Sequence, residues 1–276
     1  IRGAEMQGWE SKRDELLATL VAMERCVIAY SGGVDSAVVA AAAFRALGAS
    51  AIAVTGVSDS LASGEREIAT RIAEQIGIRH RVIATDEMTK PGYLRNGPDR
   101  CYHCKTELYT HLVEVARAEK ATMVNGANLD DVGDYRPGMK AAGEFAVRSP
   151  LLECRMTKSD VRALAQHWGL PVWDKPATPC LSSRIAYGEE VTPERLRMID
   201  HAEAYLRSKG LENVRVRYHR GDLARLEVSP AAIAALAEEC VRREISAKFR
   251  ELGFRFVTLD LDGFRSGSLN DLVSLG

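Results

Sequence analysis

Short apolar runs alternate with amphipathic helical stretches through the first 125 residues, and this alternation restricts the fold more than any other feature. Residues 26–30 form a run typical of a strand buried on both faces of a sheet, and residues 51–57, 80–84 and 121–125 are further predicted strands. Helical patterns lie at residues 9–23, 36–47, 65–76 and 105–119. The sequence therefore predicts an α/β fold with a doubly wound parallel sheet and right-handed crossovers.

After residue 188 the pattern changes to an α+β arrangement. Thr192 is suited to cap a helix whose first turn contains Pro193. The predicted helices and strands of this part span residues 193–209, 214–219, 223–228, 230–252 and 254–261, the first two strands forming a hairpin. We predict two domains, residues 1–188 and a second, smaller α+β domain of residues 189–276.

The turn after the first strand has the chemistry of an anion site. It reads Ser31, Gly32, Gly33, Val34, Asp35 and Ser36. Paired glycines let the backbone approach a ligand, and the serine hydroxyls, backbone N–H groups and positive helix end suit a phosphate. The carboxylate of Asp35 is a candidate Mg²⁺ ligand. The alternative is an ordinary strand-to-helix turn, and the lysine of γ-phosphate hydrolases is missing from this one.

This turn resembles the SGGxDS signature of the PP-loop ATP pyrophosphatase superfamily. The resemblance implies that ATP is cleaved between its α- and β-phosphates and that AMP passes to a substrate oxygen. It implies that the end of the second strand borders the adenine and that the residues after the fourth strand lie across the phosphates, with a further Mg²⁺ candidate nearby. The residues concerned are Val54, Ser58, Asn125, Gly126 and Asp131 or Asp130. Residues 157–162 are another stretch common in the superfamily, and they are equally a capped helix N-terminus.

Three cysteines have the spacing of metal ligands. Cys101 and Cys104 form a C-x-x-C pair at the start of a predicted helix, and Cys180 lies in a proline-containing connecting loop. Three thiolates without an obvious fourth favour a [4Fe-4S] cluster with one iron open to an added ligand such as sulfide. Structural zinc is the alternative, and it would need Cys154 or His103 as a fourth ligand. A thiol redox pair fits less well, because nothing else resembles a thioredoxin unit. Six cysteines are too few for a disulfide scaffold in a chain of this length. We therefore expect a reducing environment and a cytoplasmic location.

Four later stretches narrow the family. Residues 134–138, 180–184, 214–217 and 263–267 occur in this order and together resemble the LarE family of ATP-dependent sulfur transferases in nickel-pincer nucleotide biosynthesis. The resemblance covers nearly the whole chain. It implies a pyridinium biscarboxylate mononucleotide substrate whose carboxylates are adenylated and then converted to thiocarboxylates. It also implies a homo-oligomer, specifically a hexamer.

Arginines of the second domain suit the phosphate of such a substrate. Arg215, Arg217 and His219 project from one face of a predicted strand, and paired guanidiniums bind phosphate in a bidentate manner. We expect Arg184, Arg265 and Ser266 to join the two arginines around the 5′-phosphate. From the resemblance, the candidate catalytic residues are Cys180, Glu203, Lys105, Ser183 and Arg184. The alternative is a solvated strand face with isolated charges, and for His219 that interpretation is preferred.

One branch of the LarE family gives up the sulfur of the cysteine that matches Cys180 and lacks the C-x-x-C pair. Cys101 and Cys104 are present here, which puts that sacrificial mechanism in doubt. We hypothesise that the three cysteines hold a cluster whose open iron carries a sulfide, supplied as sulfide or by a sulfur donor. The enzyme would then complete many turnovers.

Charge and hydropathy exclude several other classes. The chain has 37 basic and 38 acidic residues, a balance that argues against nucleic acid as a partner. Its longest apolar run, residues 37–44, is too short to span a bilayer. Three alternatives remain: a cluster-dependent tRNA thiolase, a non-catalytic nucleotide-binding protein with structural zinc, and a nitrogen-transferring ligase. The first would need a basic surface or an RNA-binding module, and the last would need a glutaminase-like segment, which is not evident.

Overall fold

The computed structural model describes residues 8–132, 137–211 and 213–265. These residues form two compact units. The first contains residues 8–58, 64–86 and 101–178, and the second contains residues 59–63, 87–100 and 179–265. The two units are groups of residues in close contact. The predicted domain boundary after residue 188 stays a prediction.

A four-stranded parallel sheet forms the centre of the first unit. Its strands are β1 (Cys26–Ala29), β2 (Ala51–Val57), β3 (Arg79–Ala84) and β4 (Thr122–Val124), in the order β3–β2–β1–β4. Ile28 of β1 lies opposite Ala53 of β2 and Val124 of β4. The parallel sheet predicted from the alternation of strands and helices is confirmed.

The α-helices of the described residues span α1 (Trp9–Val21), α2 (Val34–Leu47), α3 (Glu65–Ile76), α4 (Pro91–Leu94), α5 (Arg100–Glu119), α6 (Pro137–Glu144), α7 (Pro150–Glu153), α8 (Lys158–His167), α9 (Pro193–Ser208), α10 (Ile233–Ala237) and α11 (Glu239–Glu251). Two details differ from the sequence predictions in the first half of the chain. α5 begins at Arg100, five residues early, which places Cys101 and Cys104 inside the helix. The stretch between β3 and α5, where no helix was predicted, contains α4.

Apolar layers cover both faces of the parallel sheet. Cys26 and Ile28 are buried among residues of α1, α2, α3 and α8, whereas Val27 and Ala29 are buried among residues of α5 and α6. Because neighbouring side chains of a strand point to opposite faces, a strand covered on both sides must be apolar throughout. This explains the continuous apolar run of β1 and fixes its end, where the Ser31–Ser36 turn begins.

The second unit contains a three-stranded mixed sheet. β5 (Arg215–His219) and β6 (Leu223–Glu227) form the predicted antiparallel hairpin, and β7 (Phe256–Leu259) pairs with β6 in parallel. The hairpin turn contains Gly221 and Asp222, both at positive φ. α9 begins as predicted, because the Thr192 hydroxyl accepts a hydrogen bond from the Arg195 N–H.

The single helix predicted from residue 230 to 252 is wrong. Glu238 has an extended backbone, with φ −60° and ψ 143°, and separates α10 from α11. Its N–H donates to the Ala235 carbonyl, which closes α10, and its carbonyl accepts from the Arg242 N–H, which begins α11. Both backbone groups of Glu238 therefore stay paired across the break. Among the described residues, no helix is both long and apolar enough to span a membrane.

Candidate active site

The Ser31–Ser36 turn is held together by its own hydroxyl groups. The Ser31 N–H donates to Ser36 Oγ at 3.2 Å, and Ser36 Oγ donates to the Gly33 carbonyl at 3.1 Å. Gly33 is the N-cap of α2 and provides no capping side chain. The first N–H groups of a helix have no partner within the helix, so this turn directs donors and a positive helix end to one point. Such a geometry suits a phosphate group.

Two glycines of the site cannot carry a side chain without displacing backbone atoms. Gly32 has φ +72°, and a Cβ on it would lie 2.8 Å from the Cα of Ala69 in α3. A Cβ on Gly126 would lie 2.8 Å from the backbone nitrogen of Ser36. The loop after β4 therefore packs directly against the first turn of α2. This brings Asn125 and Gly126 beside the phosphate turn, where the sequence analysis expected them.

Asp35 is the point where three segments of the first unit meet. Its carboxylate accepts a hydrogen bond from Asn128 Nδ2 at 3.0 Å and pairs with the ammonium group of Lys158. Asn128 is itself fixed by a capping box, since its side chain accepts from the Asp130 N–H and its own N–H donates to Asp131 Oδ2 at 3.0 Å. Asn128 thus links the two predicted Mg²⁺ ligands, Asp35 and Asp131.

Lys158 was not singled out by the sequence analysis. The helix-cap interpretation of residues 157–162 is correct, because the Thr157 side chain accepts from the Asp160 N–H and the Asp160 carboxylate accepts from the Thr157 N–H. The same cap points the side chain of Lys158 toward Asp35. The available signal was a lysine in the first turn of a helix, where a positive charge is unfavourable to the helix dipole and needs another reason to be there.

The residues expected near adenine occupy the end of β2. The Val54 side chain is fully buried in the apolar layer. Its polar atoms are therefore those of the backbone, and its carbonyl accepts a hydrogen bond from the Tyr30 N–H at 2.9 Å. Ser58 follows β2 and is half-buried. Their contact with adenine stays a prediction.

A buried ion pair organises the loop that carries Cys180 in the second unit. Glu203 of α9 is completely buried and accepts from Arg184 at 3.1 Å, Arg207 at 3.2 Å and the Val216 N–H at 3.2 Å. Arg184 is buried as well and also donates to the carbonyl of Cys180 at 2.9 Å and to Ser183 Oγ at 3.1 Å. Two predicted site residues, Arg184 and Glu203, therefore hold the cysteine loop in place.

The hairpin carries the remaining predicted arginines on one face. Arg217 is buried, pairs with Glu227 at 2.8 Å and donates to the Ser183 carbonyl at 3.1 Å. Arg225 lies opposite Arg217 in the register and pairs with both Glu227 and Asp260. This face is not the solvated strand surface of the alternative interpretation.

Two residues of this face have lowered pKa values. Burial, reinforced by the charges of Arg184 and Arg217, lowers the pKa of Arg215 to about 10, and its guanidinium lies 5.2 Å from the centre of the Phe264 ring. Burial and the charges of Arg225 and Arg217 also lower the pKa of His219. A guanidinium whose pKa is depressed by its neighbours still carries its charge at neutral pH and gains from binding an anion.

The C-x-x-C pair lies in the first turn of α5. Residues three apart on a helix share a face, so Cys101 and Cys104 are neighbours, the former exposed and the latter partly exposed. Cys180 is the N-cap of the short 3₁₀ turn Leu181–Arg184 and is partly exposed. Each of these cysteines is a thiol rather than half of a disulfide. Accessible thiols are the donors that an iron–sulfur cluster requires.

Cys154 differs from these three cysteines. It is buried, its Sγ lies 3.7 Å from Thr19 Oγ1, and burial raises its pKa. A raised pKa opposes formation of the thiolate that binds metal. Cys154 therefore suits a structural role better than that of a fourth zinc ligand.

Three further predicted site residues are Lys105, Arg265 and Ser266. Lys105 follows Cys104 on α5, and its Cγ lies 3.1 Å from the position that a Cβ on Gly138 would take. Arg265 is exposed and pairs with Asp262 at 3.2 Å. Ser266, like residues 134–136 and 267, lies outside the described residues.

Asp86, Glu107 and His111 form a group that the sequence analysis did not anticipate. Their potential ligand atoms lie within 4.8 Å of one another. Glu107 Oε1 contacts the Asp86 N–H at 3.2 Å and His111 Nε2 at 3.0 Å. These internal hydrogen bonds give the group a structural explanation without an ion.

The chain is similar to several known proteins. The asparagine synthase family profile matches residues 17–104. The chain is 38% identical to pyridinium-3,5-bisthiocarboxylic acid mononucleotide synthase of Lactiplantibacillus plantarum, over 96% of the chain and 95% of that protein. It is 46% identical to an uncharacterized protein of Synechocystis sp. over 96% of the chain and 99% of that protein. It is also 28% identical to one of the subunits of the glutamine-hydrolyzing GMP synthase of Archaeoglobus fulgidus, over 64% of the chain and 62% of that protein.

Proposed function

Because this chain belongs to the LarE family of pyridinium-3,5-bisthiocarboxylic acid mononucleotide synthases, we propose that it converts the carboxylates of pyridinium-3,5-biscarboxylic acid mononucleotide to thiocarboxylates with ATP and sulfide. The observation that carries this proposal is the meeting of Asp35, Asn128 and Lys158 at the phosphate turn. The family membership supports a sulfur-transferring synthase. The turn is the element that would bind the phosphates of ATP.

The first step transfers AMP to the substrate. A substrate carboxylate oxygen attacks the α-phosphorus of ATP, the bond between that phosphorus and the oxygen bridging to the β-phosphorus breaks, and pyrophosphate leaves. The N–H groups at the start of α2 bind the departing pyrophosphate, where they face the charge that develops. Asp35 and Asp131 are the residues that would hold Mg²⁺, which neutralises phosphate charge. Lys158 is then released from Asp35 and contacts the phosphates.

The second unit binds and orients the pyridinium mononucleotide. Arg215 of the hairpin binds the 5′-phosphate, and Arg265 adds positive charge. Arg217 is engaged by Glu227 and the Ser183 carbonyl, so it contributes by holding the hairpin face. Lys105 stays a candidate for contacting the phosphate or a carboxylate, as the family resemblance implies. Arg184 and Glu203 act on the loop of Cys180 rather than on substrate, because their polar groups are already engaged there. Ser183 belongs to the same loop.

Sulfide replaces AMP in the second step. Its lone pair attacks the acyl carbon, a C–S bond forms, the C–O bond to AMP breaks and AMP leaves with the electron pair. No oxidation or reduction occurs. The thiols of Cys101, Cys104 and Cys180 would hold a [4Fe-4S] cluster, which when bound supplies an open iron for sulfide. In this scheme the protein keeps its own sulfur atoms.

Anaerobic purification followed by two assays tests the proposal. We expect iron and acid-labile sulfide in the protein, and pyrophosphate release that depends on the biscarboxylate mononucleotide. Cys180→Ala should keep pyrophosphate release and lose sulfur transfer, whereas Cys154→Ala, the matched control, should keep both. Zinc without iron and without ATP turnover would support the non-catalytic alternative. Tight tRNA binding that survives moderate salt would support the thiolase.

A further inference from the structure

A buried polar network in the second unit connects the segment before α5 with the cysteine loop. Tyr93 Oη lies 2.6 Å from Ser182 Oγ, and Arg100 donates to the Ser182 carbonyl at 2.9 Å. Asn96 donates to the carbonyl of Ala186 at 2.8 Å and accepts from Arg100. Tyr93, Asn96 and Ser182 are fully buried, and Arg100 nearly so. The loop's backbone carbonyls are thus paired with side chains from residues 93–100.

This network has no place in the steps of the proposed reaction. Neither Arg100 nor Asn96 belongs to the phosphate turn or to the charged hairpin face. A buried charge is retained only where hydrogen bonds or counter-charges compensate its lost hydration. Arg100 donates to a backbone carbonyl of the loop and to the Asn96 side chain, and these bonds compensate part of its lost hydration.

The residues of the network lie next to cysteines in the sequence. Arg100 is the first residue of α5 and directly precedes Cys101. Ser182, whose carbonyl it binds, is two residues after Cys180. The guanidinium of the residue just before the C-x-x-C pair therefore binds the backbone of the loop that carries the third cysteine.

We infer that Arg100 is a positioning residue for the Cys180 thiolate, because it orders the backbone of the loop that carries this cysteine. This inference rests on the cluster of the proposed function. Its physical basis is preorganisation: a ligand held in place binds a metal group more tightly than a ligand on a loose loop. Tyr93 assists by a bond to the same residue of the loop.

The experiment compares Arg100→Gln with two matched variants. Arg100→Lys keeps a positive donor, and Arg95→Gln changes an exposed arginine of the same segment. The readouts are iron retained against a chelator after anaerobic reconstitution, and the rate of amide hydrogen exchange of residues 181–186 in the cluster-free protein. Pyrophosphate release with the biscarboxylate mononucleotide serves as the control for folding.

We expect Arg100→Gln to retain iron about tenfold less well and to exchange the amide hydrogens of residues 181–186 faster, because a hydrogen bond from a charged donor is removed. Arg100→Lys should restore part of both, and Arg95→Gln should match the unmodified protein. The rate of pyrophosphate release should be unchanged in all three variants. Unchanged iron retention and amide exchange in Arg100→Gln would overturn the inference.

Two outcomes separate this inference from the proposed function. If the unmodified protein holds no iron, the cluster of the proposed function is wrong, and so is the role of Arg100 toward it, whatever the amide exchange shows. If Arg100→Gln loses pyrophosphate release and hence its fold, Tyr93→Phe replaces it, since that change removes one hydroxyl. A Tyr93→Phe protein with unaltered iron retention would then contradict the inference.

Discussion

Replacing Lys158 with methionine separates catalysis from stability at the phosphate turn. The pair of Lys158 and Asp35 is partly exposed, at 35% and 26% of the two side chains. Ion pairs at this exposure stabilise a protein by about 0.2–1 kcal/mol, so the variant should lose no more than that in its free energy of unfolding. If the ammonium contacts the phosphates during adenylation, its removal should slow pyrophosphate release by about 10²–10³-fold, or roughly 3–4 kcal/mol of barrier.

The assay pairs urea unfolding with the rate of pyrophosphate release at saturating ATP. Lys12→Met is the matched control, because Lys12 pairs with Asp160 at 2.6 Å in the same unit without reaching the phosphate turn. That control should lose a similar amount of stability and almost no activity. A Lys158→Met protein whose rate falls no more than that of Lys12→Met would refute the assignment of Lys158 to the phosphates.

Three further changes test other parts of the molecule. Gly32→Ala should lower the free energy of unfolding by about 2–5 kcal/mol, because it combines positive φ with a backbone clash. Gly33→Ala should lower it by under about 1 kcal/mol in the same urea titration, because the added Cβ would meet only Ser31 Oγ at 3.4 Å. Glu203→Gln leaves the guanidinium of Arg184 buried without its counter-charge and should lower the free energy of unfolding by about 3–5 kcal/mol. The control is Glu244→Gln, which changes an exposed pair with Lys209 and should unfold thermally close to the parent. Equal losses of stability in the two variants would contradict the ion-pair argument. Burial lowers the pKa of His80 below its usual 6.5, so its contribution to stability is complete above that pH and is lost as the pH falls, because the unfolded chain then binds the proton first. Unfolding measured across this range should be less pH-dependent in His80→Gln, and an unchanged slope would show that His80 is not responsible.

The parallel sheet and its phosphate turn were predictable because both are recorded locally in the sequence. The continuous apolar run of β1 follows from burial on both faces, and Ser31 to Ser36 supply their own hydrogen bonds. The break at Glu238 was not predictable from periodicity. Alanine and charged residues on both sides fit a helix, and the backbone can leave it because both groups of Glu238 find partners.

The parts of the site that escaped prediction depend on contacts between distant segments. Lys158 is explained locally as part of a helix cap, and only the fold brings it to Asp35, 123 positions earlier. Arg184 was expected to bind phosphate, a contact that stays a prediction, whereas its buried pair with Glu203 depends on the packing of α9 against the cysteine loop. The role of residues 93–100 was likewise invisible, because no motif marks an arginine that binds a carbonyl 82 positions away.

The source of the transferred sulfur is tested most directly by counting products per protein chain. The protein is incubated anaerobically with ATP, Mg²⁺, isotopically heavy sulfide and the biscarboxylate mononucleotide, and both product and intact protein are weighed by mass spectrometry. We predict several thiocarboxylates per chain, all carrying heavy sulfur, with the protein mass unchanged. At most one product per chain, carrying light sulfur and matched by loss of hydrogen sulfide from Cys180, would contradict the account.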